Sequence, residues 1–292
     1  MTEHEKLMYQ VLGRVSAGSA PIVFKGALIT KLILDESGYS DVSRQTKDID
    51  ANWIGTPPSM DDLVNAINSS LGDLRSQFHA VAFRQYAERT SAGISIIRNG
   101  TDDEVMLMDI SVKPVIGSRI YHYGEAEIRG VLANEILADK ISVLSKRHMF
   151  RRAKDIVDVY ALAHCVKVHT KEIFDIYKSN PSREVGAFTE FYSLRRDVKH
   201  AYNKLAGIDG KPPFDGVYVY LSKFLQPFAR REERPKLWNS DILVWEAVPK
   251  IIGDAEKPSV IDEIRKAKKD RRDTPSHEHE AAKRNRKNDP EL

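Results

Sequence analysis

The chain has 292 residues, 41 % of them hydrophobic and 30 % charged, which suits one large domain or two ordinary ones with a real core. Its single cysteine, Cys165, excludes an internal disulfide and a thiolate metal cluster, and a reducing cytoplasm is the simplest home. A net charge of +3 is too small at this length to mark a nucleic-acid binder. No apolar run of membrane-spanning length and no signal-peptide pattern occurs, so no membrane partner is expected.

The first element is a helix from about Glu3 to Ser16, with Leu7, Val11 and Val15 at helical spacing. A short strand, Ile22 to Phe24, then turns at Gly26 into a helix that runs to about Glu36 and is closed by Gly38 and Tyr39. The polar loop DVSRQTK leads into a strand, DIDANWI, ended by the Thr56-Pro57-Pro58 turn. A helix follows in MDDLVNAINSSLGDL, with Ser59 as its cap and Asp61 and Asp62 in its first turn. From about Phe78 to Ile116 the pattern is mostly strand, in FHAVAFRQYAE, GISIIRNG and the strongly apolar EVMLMDISVKPVI. From Gly130 the periodicity becomes helical, with Ile136, Leu137, Ile141 and Leu144 on one side and a second set, Ile156, Val157, Tyr160 and Ala161, beyond the basic stretch KRHMFRR. The segment from Pro212 to Pro249 is mixed. Beyond Ile264 almost no apolar residue remains, so the end of the chain is expected to be disordered or a frayed charged helix.

Chemistry concentrates at Asp48-Ile49-Asp50. Alternation along a strand puts both carboxylates on one face, roughly 6–7 Å apart, and Ile49 in the core. Two such carboxylates repel unless a cation sits between them, and a hard divalent ion completed by phosphate oxygens answers that need. A solvent-facing strand edge is the plain alternative for a bare D-x-D. Asp109 lies in the apolar run Val105 to Val112, where an unpaired carboxylate is costly. It is either paired with a lysine or arginine or helping to bind metal. On adjacent strands, Asp48, Asp50 and Asp109 form a three-carboxylate cradle of the kind phosphoryl transfer uses. Gly26, between a strand and a helix N-terminus, offers backbone N–H groups to phosphate, with Lys25 beside it.

At these residues the sequence resembles the AbiEii/AbiGii toxin family of nucleotidyltransferases, within the DNA-polymerase-beta-like superfamily. The matching segments are Phe24-Lys25-Gly26-Ala27-Leu28, for a family turn that is K-G-G-rich, and Arg44-Gln45-Thr46-Lys47-Asp48-Ile49-Asp50, for R-x-[S/T]-x-D-I-D. Ala27 stands where the family usually has a second glycine. A third segment runs from Lys140 through Leu144, Lys146 and Arg147 to Arg152-Ala153-Lys154-Asp155-Ile156-Val157-Asp158, for K-x-x-x-L-x-x-R followed by R-D-x-x-D-L. Here Lys154 replaces the usual arginine. The resemblance spans about Val23 to Ala163.

It implies a polymerase-beta-like core, and with the pattern along the chain the architecture reads as α+β: that core with a mixed sheet in residues 1–125, a mainly helical domain in 126–253 and a charged tail in 254–292. It implies a catalytic set of Asp48, Asp50, Asp109, Lys140 and Asp155, the three aspartates holding Mg²⁺ or Mn²⁺ and Asp109 taking the acceptor proton. Lys25, Gly26, Arg44, Thr46 and Arg147 would hold the nucleoside triphosphate, with Lys140 on its phosphates and oriented by Asp155. Asp158 is expected on a solvated face. The implied activity is that of a toxin of a toxin–antitoxin or phage-defence system, transferring a nucleoside monophosphate to RNA at the tRNA 3′ end, with an antitoxin protein as partner. A protein hydroxyl as acceptor, or a non-catalytic nucleotide- or RNA-binding module, remain alternatives.

Other residues carry less. His164 and Cys165 read as core or helix-end residues, and His277 and His279 as part of the tail. Arg195, Arg196, Lys199, His200 and Lys204, with Tyr192 and Tyr202 interleaved, read as a solvated helix face or as a stripe that follows an RNA backbone.

Overall fold

The structure, a computed structural model, describes residues 3–39, 42–44, 48–87, 91–101, 103–180 and 183–248. The segment 254–292, with His277 and His279, lies outside the described residues. The first half alternates helices and strands: α1 (Glu3–Ala17), β1 (Ile22–Lys25), α2 (Gly26–Glu36), β2 (Ser43–Arg44), β3 (Asp48–Trp53) and α3 (Met60–Ser70). There follow β4 (Phe78–Ala87), β5 (Ser91–Arg98), β6 (Glu104–Ser111), β7 (Ser118–Tyr123) and β8 (Ala126–Val131). The expected elements occur close to their expected bounds. The Ser59 hydroxyl caps α3 by accepting from the Asp62 N–H, as its position before the helix requires. β6 stops at Ser111, short of Pro114, which has no N–H for a ladder.

Seven strands form one mixed sheet in the order β4-β5-β6-β3-β1-β8-β7. β3 runs parallel to β6 and β1 parallel to β8, while the other neighbours are antiparallel. The β7–β8 hairpin is an addition to the sequence reading. Its strands are short and bury little beyond Tyr121, Ile128, Gly130 and Val131, so they give almost no alternation to read. The boundary expected at 125/126 falls inside this hairpin, and both of its strands belong to the sheet.

Helices then dominate: α4 (Ala133–Leu144), α5 (Ala153–Cys165), α6 (Thr170–Ser179), α7 (Thr189–Ser193), α8 (Arg195–Asn203), α9 (Phe214–Phe224) and α10 (Gln226–Ala229). Between α4 and α5 the basic stretch does not continue the helix. His148 adopts φ 64°, and Met149–Arg152 form a 3₁₀ turn. β9 (Ile208–Asp209) pairs with β2, joining Ser43 and Arg44 to the helical half. The hairpin β10 (Lys236–Asn239) and β11 (Val244–Ala247) brings Trp238 and Trp245 against Phe224. One apolar core runs from Met8 to Trp238 through both halves. Among the described residues no helix is long and apolar enough to cross a membrane.

Candidate active site

The site begins at the β1–α2 junction. Lys25 is extended, and Gly26 has φ +71°, the left-handed region that glycine enters without a Cβ clash. A Cβ on Gly26 would lie 2.4 Å from Oδ2 of Asp50. The glycine therefore makes the turn and leaves room for the Asp50 carboxylate to lie over it.

Strand register then sets a row of side chains across the sheet. Lys25 on β1 faces Asp50 on β3, Asp50 faces Asp109 on β6, Asp109 faces Gly93 on β5, and Gly93 faces Arg84 on β4. Residues paired in this way share a face of the sheet, so two acids stand between two bases. Ile49 is fully buried on the other face, as alternation requires. Two residues along, Asn52 and Ser111 extend the polar face, and both accept from Lys25 Nζ, at 2.7 and 3.3 Å. Burial lowers the Lys25 pKa from its ordinary value, and the Asp50 charge opposes that shift.

Asp109 takes one of the two alternatives the sequence left open. Its side chain is about half exposed (50 %) although its strand neighbours Met108 and Ile110 are buried. It forms an ion pair with Arg84, so the pairing that the sequence left open is made, with a partner separated from Lys25 by three intervening strands.

The helical half supplies the opposite wall. Lys140 on α4 is buried and donates to Asp155 at 3.0 Å and to Asp158 at 2.6 Å, both on α5. Burial pulls the Lys140 pKa down, but Asp158 and Asp155 more than reverse this, and it ends above its ordinary value. Asp158 is thus not on a solvated face: it is 4 % exposed, because i, i+3 spacing turns both acids of α5 toward Lys140. Arg183, also buried, pairs with Glu135 at 2.8 Å and Asp139 at 2.7 Å, both on α4.

Lys25, Gly26 and Asp50 on one side and Lys140, Asp155, Arg152 and Arg183 on the other line a single cleft. Five of the residues singled out from the sequence thus come together there. Asp109 joins them by its register with Asp50. Arg147 does not: it is exposed just beyond the end of α4 and does not line the cleft. Thr46 and the side chains of Arg44 and Asp48 lie outside the described residues. Sequence reasoning missed Asn52, Ser111, Arg84, Arg183, Glu135 and Asp139. For Asn52 and Ser111 the signal was alternation along the strands that carry Asp50 and Asp109; Arg84 joins the face only through the strand register, which the sequence does not show. For the last three there was no signal, since Arg183 meets α4 only through tertiary packing.

The carboxylates of Asp50 and Asp109, hard oxygen donors in register on adjacent strands, fit a divalent cation such as Mg²⁺. Among the described residues no group of three or more His, Cys, Asp or Glu side chains converges.

The residues with weaker claims fall into structural roles. His164 contacts the Tyr160 carbonyl at 2.7 Å through Nδ1 and stacks on Tyr220 at 4.1 Å, and burial raises the Cys165 pKa. In the basic stripe of α8, Arg195 and Lys199 both pair with Asp215, and Tyr202 is fully buried. That tyrosine is therefore not open to stack on a base.

The profile of the family described as "Nucleotidyl transferase AbiEii toxin, Type IV TA system" matches residues 10–192, more than half of the chain. Similar solved structures include MenT4, a nucleotidyltransferase toxin from Mycobacterium tuberculosis H37Rv, with 11 % identity and a TM-score of 0.41 over 82 % of this chain and 92 % of that one. An antigenic nucleotidyltransferase-like protein from Paracoccidioides brasiliensis has 14 % identity and a TM-score of 0.38 over 68 % of this chain and 93 % of that one. No curated protein matches the chain in sequence. By its family match the chain belongs to the AbiEii nucleotidyl transferase toxins of type IV toxin–antitoxin systems.

Proposed function

We propose that this nucleotidyltransferase is metal-dependent, acts in the cytoplasm, and moves a nucleoside monophosphate from a nucleoside triphosphate to an RNA acceptor, the tRNA 3′ end, under control of an antitoxin protein. The observation that carries the reading is the pairing of Asp50 with Asp109 beside Lys25 and the Gly26 turn. Asp48, Asp50 and Asp109 would hold Mg²⁺ or Mn²⁺, which supplies electrostatic stabilisation of the phosphates and a lower pKa for the acceptor hydroxyl. Lys25 and the N–H groups at the start of α2 hold the triphosphate. Lys140, fixed by Asp155 and Asp158, sets positive charge on the opposite wall of the cleft. The acceptor oxygen attacks the α-phosphorus, its proton passes to Asp109, and the bond to the β-phosphate breaks to release pyrophosphate.

The test is incubation of the full chain with Mg²⁺, each α-labelled triphosphate and total tRNA, beside Asp50→Ala. Label in RNA with the wild type alone supports the reading and identifies the base. Label in protein, or nucleotide bound without transfer, overturns it.

A further inference from the structure

Arg84 has no place in the mechanism above, yet three features of the sheet deliver its side chain to Asp109. First, the β4–β5 register shifts on either side of Arg84, between Ala82 and Arg84 and again between Arg84 and Ala87. Such irregularities re-aim a side chain out of the regular pleat. Second, the residue between Arg84 and Asp109 in the row is Gly93. A Cβ there would lie 3.0 Å from Cβ of Arg84 and 3.2 Å from Cδ1 of Phe83, so the missing side chain leaves the path from β4 to β6 open. Third, the guanidinium reaches across β5 and ion-pairs with Oδ1 of Asp109. Both partners are about half exposed, at 51 % and 50 %, so the pair is screened by water and easily exchanged.

The pair has a physical purpose at this place. Asp50 and Asp109 are opposite one another, and two neighbouring carboxylates repel when nothing positive stands between or beside them. A monovalent guanidinium on one oxygen of Asp109 relieves that repulsion at little cost in stability. A divalent cation bound by the same carboxylate competes for it with twice the charge and a shorter contact.

We propose that Arg84 is the internal counter-ion of Asp109: it holds that carboxylate in the cation-free enzyme and yields it when a divalent cation enters. The inference rests on the metal-binding part of the reading above.

The experiment titrates MnCl₂, without nucleotide, into the full-length protein and its variants, with free Mn²⁺ read by electron paramagnetic resonance and folding checked by circular dichroism. Arg84→Gln is expected to bind Mn²⁺ with roughly fivefold lower Kd, the scale of an exposed ion pair. In an Asp109→Asn background the same substitution is expected to bring no gain. An unchanged Kd for Arg84→Gln overturns the inference, as does a gain that persists without Asp109, since that is charge repulsion alone. A direct measurement on the wild type stands beside the variants: the Arg84 side-chain ¹⁵Nε resonance shifts with Mg²⁺ occupancy, and a resonance that stays fixed while the cation binds overturns the proposal. If neither wild type nor Arg84→Gln binds Mn²⁺, the metal reading fails with it. If the wild type binds and Arg84→Gln is the same, only the inference fails.

Discussion

Asp50 and Asp109 face each other across the parallel β3–β6 pair, which makes two acids from chain segments 59 positions apart neighbours on one sheet face. Their separation is set by backbone hydrogen bonds and therefore does not depend on the side chains themselves. Asparagine at position 50 keeps the shape and removes the charge, so the fold should survive. Loss of one charge from the cradle should lower nucleotide transfer by at least about 100-fold, on the scale of deleting one preorganised electrostatic group. Transfer assays beside a thermal melt check this. A variant that melts like the wild type and still transfers at its rate removes Asp50 from the chemistry.

Gly26→Ala tests the floor under that carboxylate. The new Cβ must push Oδ2 of Asp50 from 2.4 Å away, and the residue sits at φ +71°. A left-handed alanine costs about 1–2 kcal/mol, and the displaced carboxylate should add a loss of activity beyond the loss of stability. Ala27, one residue later, is already helical and carries a Cβ. The comparison that decides is Gly26→Ala against Ala27→Gly: the first should abolish transfer, and the second should leave transfer intact with a destabilisation of about 1 kcal/mol.

How much of this was legible in the sequence depended on whether a contact is local. Strand alternation alone predicts that Ile49 is buried and that Asp50 is turned away from it, and both hold. The Ser59 cap and the Gly26 turn are local too, and their residue types announce them. Arg84 was not legible, since its reach depends on bulges in β4 and on a glycine nine positions later, and only the register joins them. The partner of Asp109 was not legible for a related reason. Its neighbours Met108 and Ile110 are buried, but alternation turns Asp109 to the more exposed face, which carries Asp50. Asp158 was misjudged because helical spacing gives the face and not what covers it, and α4 covers it with Lys140.

The pKa of Lys25 gives a pH prediction. Burial holds it below the ordinary lysine value of 10.5 even with Asp50 opposite. A triphosphate binds the ammonium and not the amine, so affinity should be constant at neutral pH and fall as pH rises through a value below 10.5. Lys25→Arg keeps its charge throughout that range, so its affinity should not fall there. The check is the Kd of a fluorescent nucleoside triphosphate, measured from pH 7 upward for both proteins. A wild-type curve that stays flat through pH 10.5 removes Lys25 from phosphate binding.

Lys140 lends its proposed role a stability test. Lys140 is 8 % exposed and Asp158 is 4 % exposed, so removing the cation leaves a buried carboxylate without the Lys140 ammonium. Lys140→Met should cost about 3–5 kcal/mol, the range for breaking a buried pair from one side. Lys140→Met with Asp158→Asn should recover much of that stability, since the second change removes the buried charge that Lys140 opposed, but, on the role proposed for Lys140 at the phosphates, it should recover no activity. The sign of the pH dependence follows from the raised pKa of Lys140. Its stabilising contribution is fully present below the unfolded lysine value and is lost as pH rises through the higher folded value. Wild type should therefore lose stability in alkali above about pH 10.5, and the double variant should lose less over the same interval. Denaturant unfolding at neutral and alkaline pH measures both, and equal alkaline losses in the two proteins would assign the effect to other lysines or tyrosines.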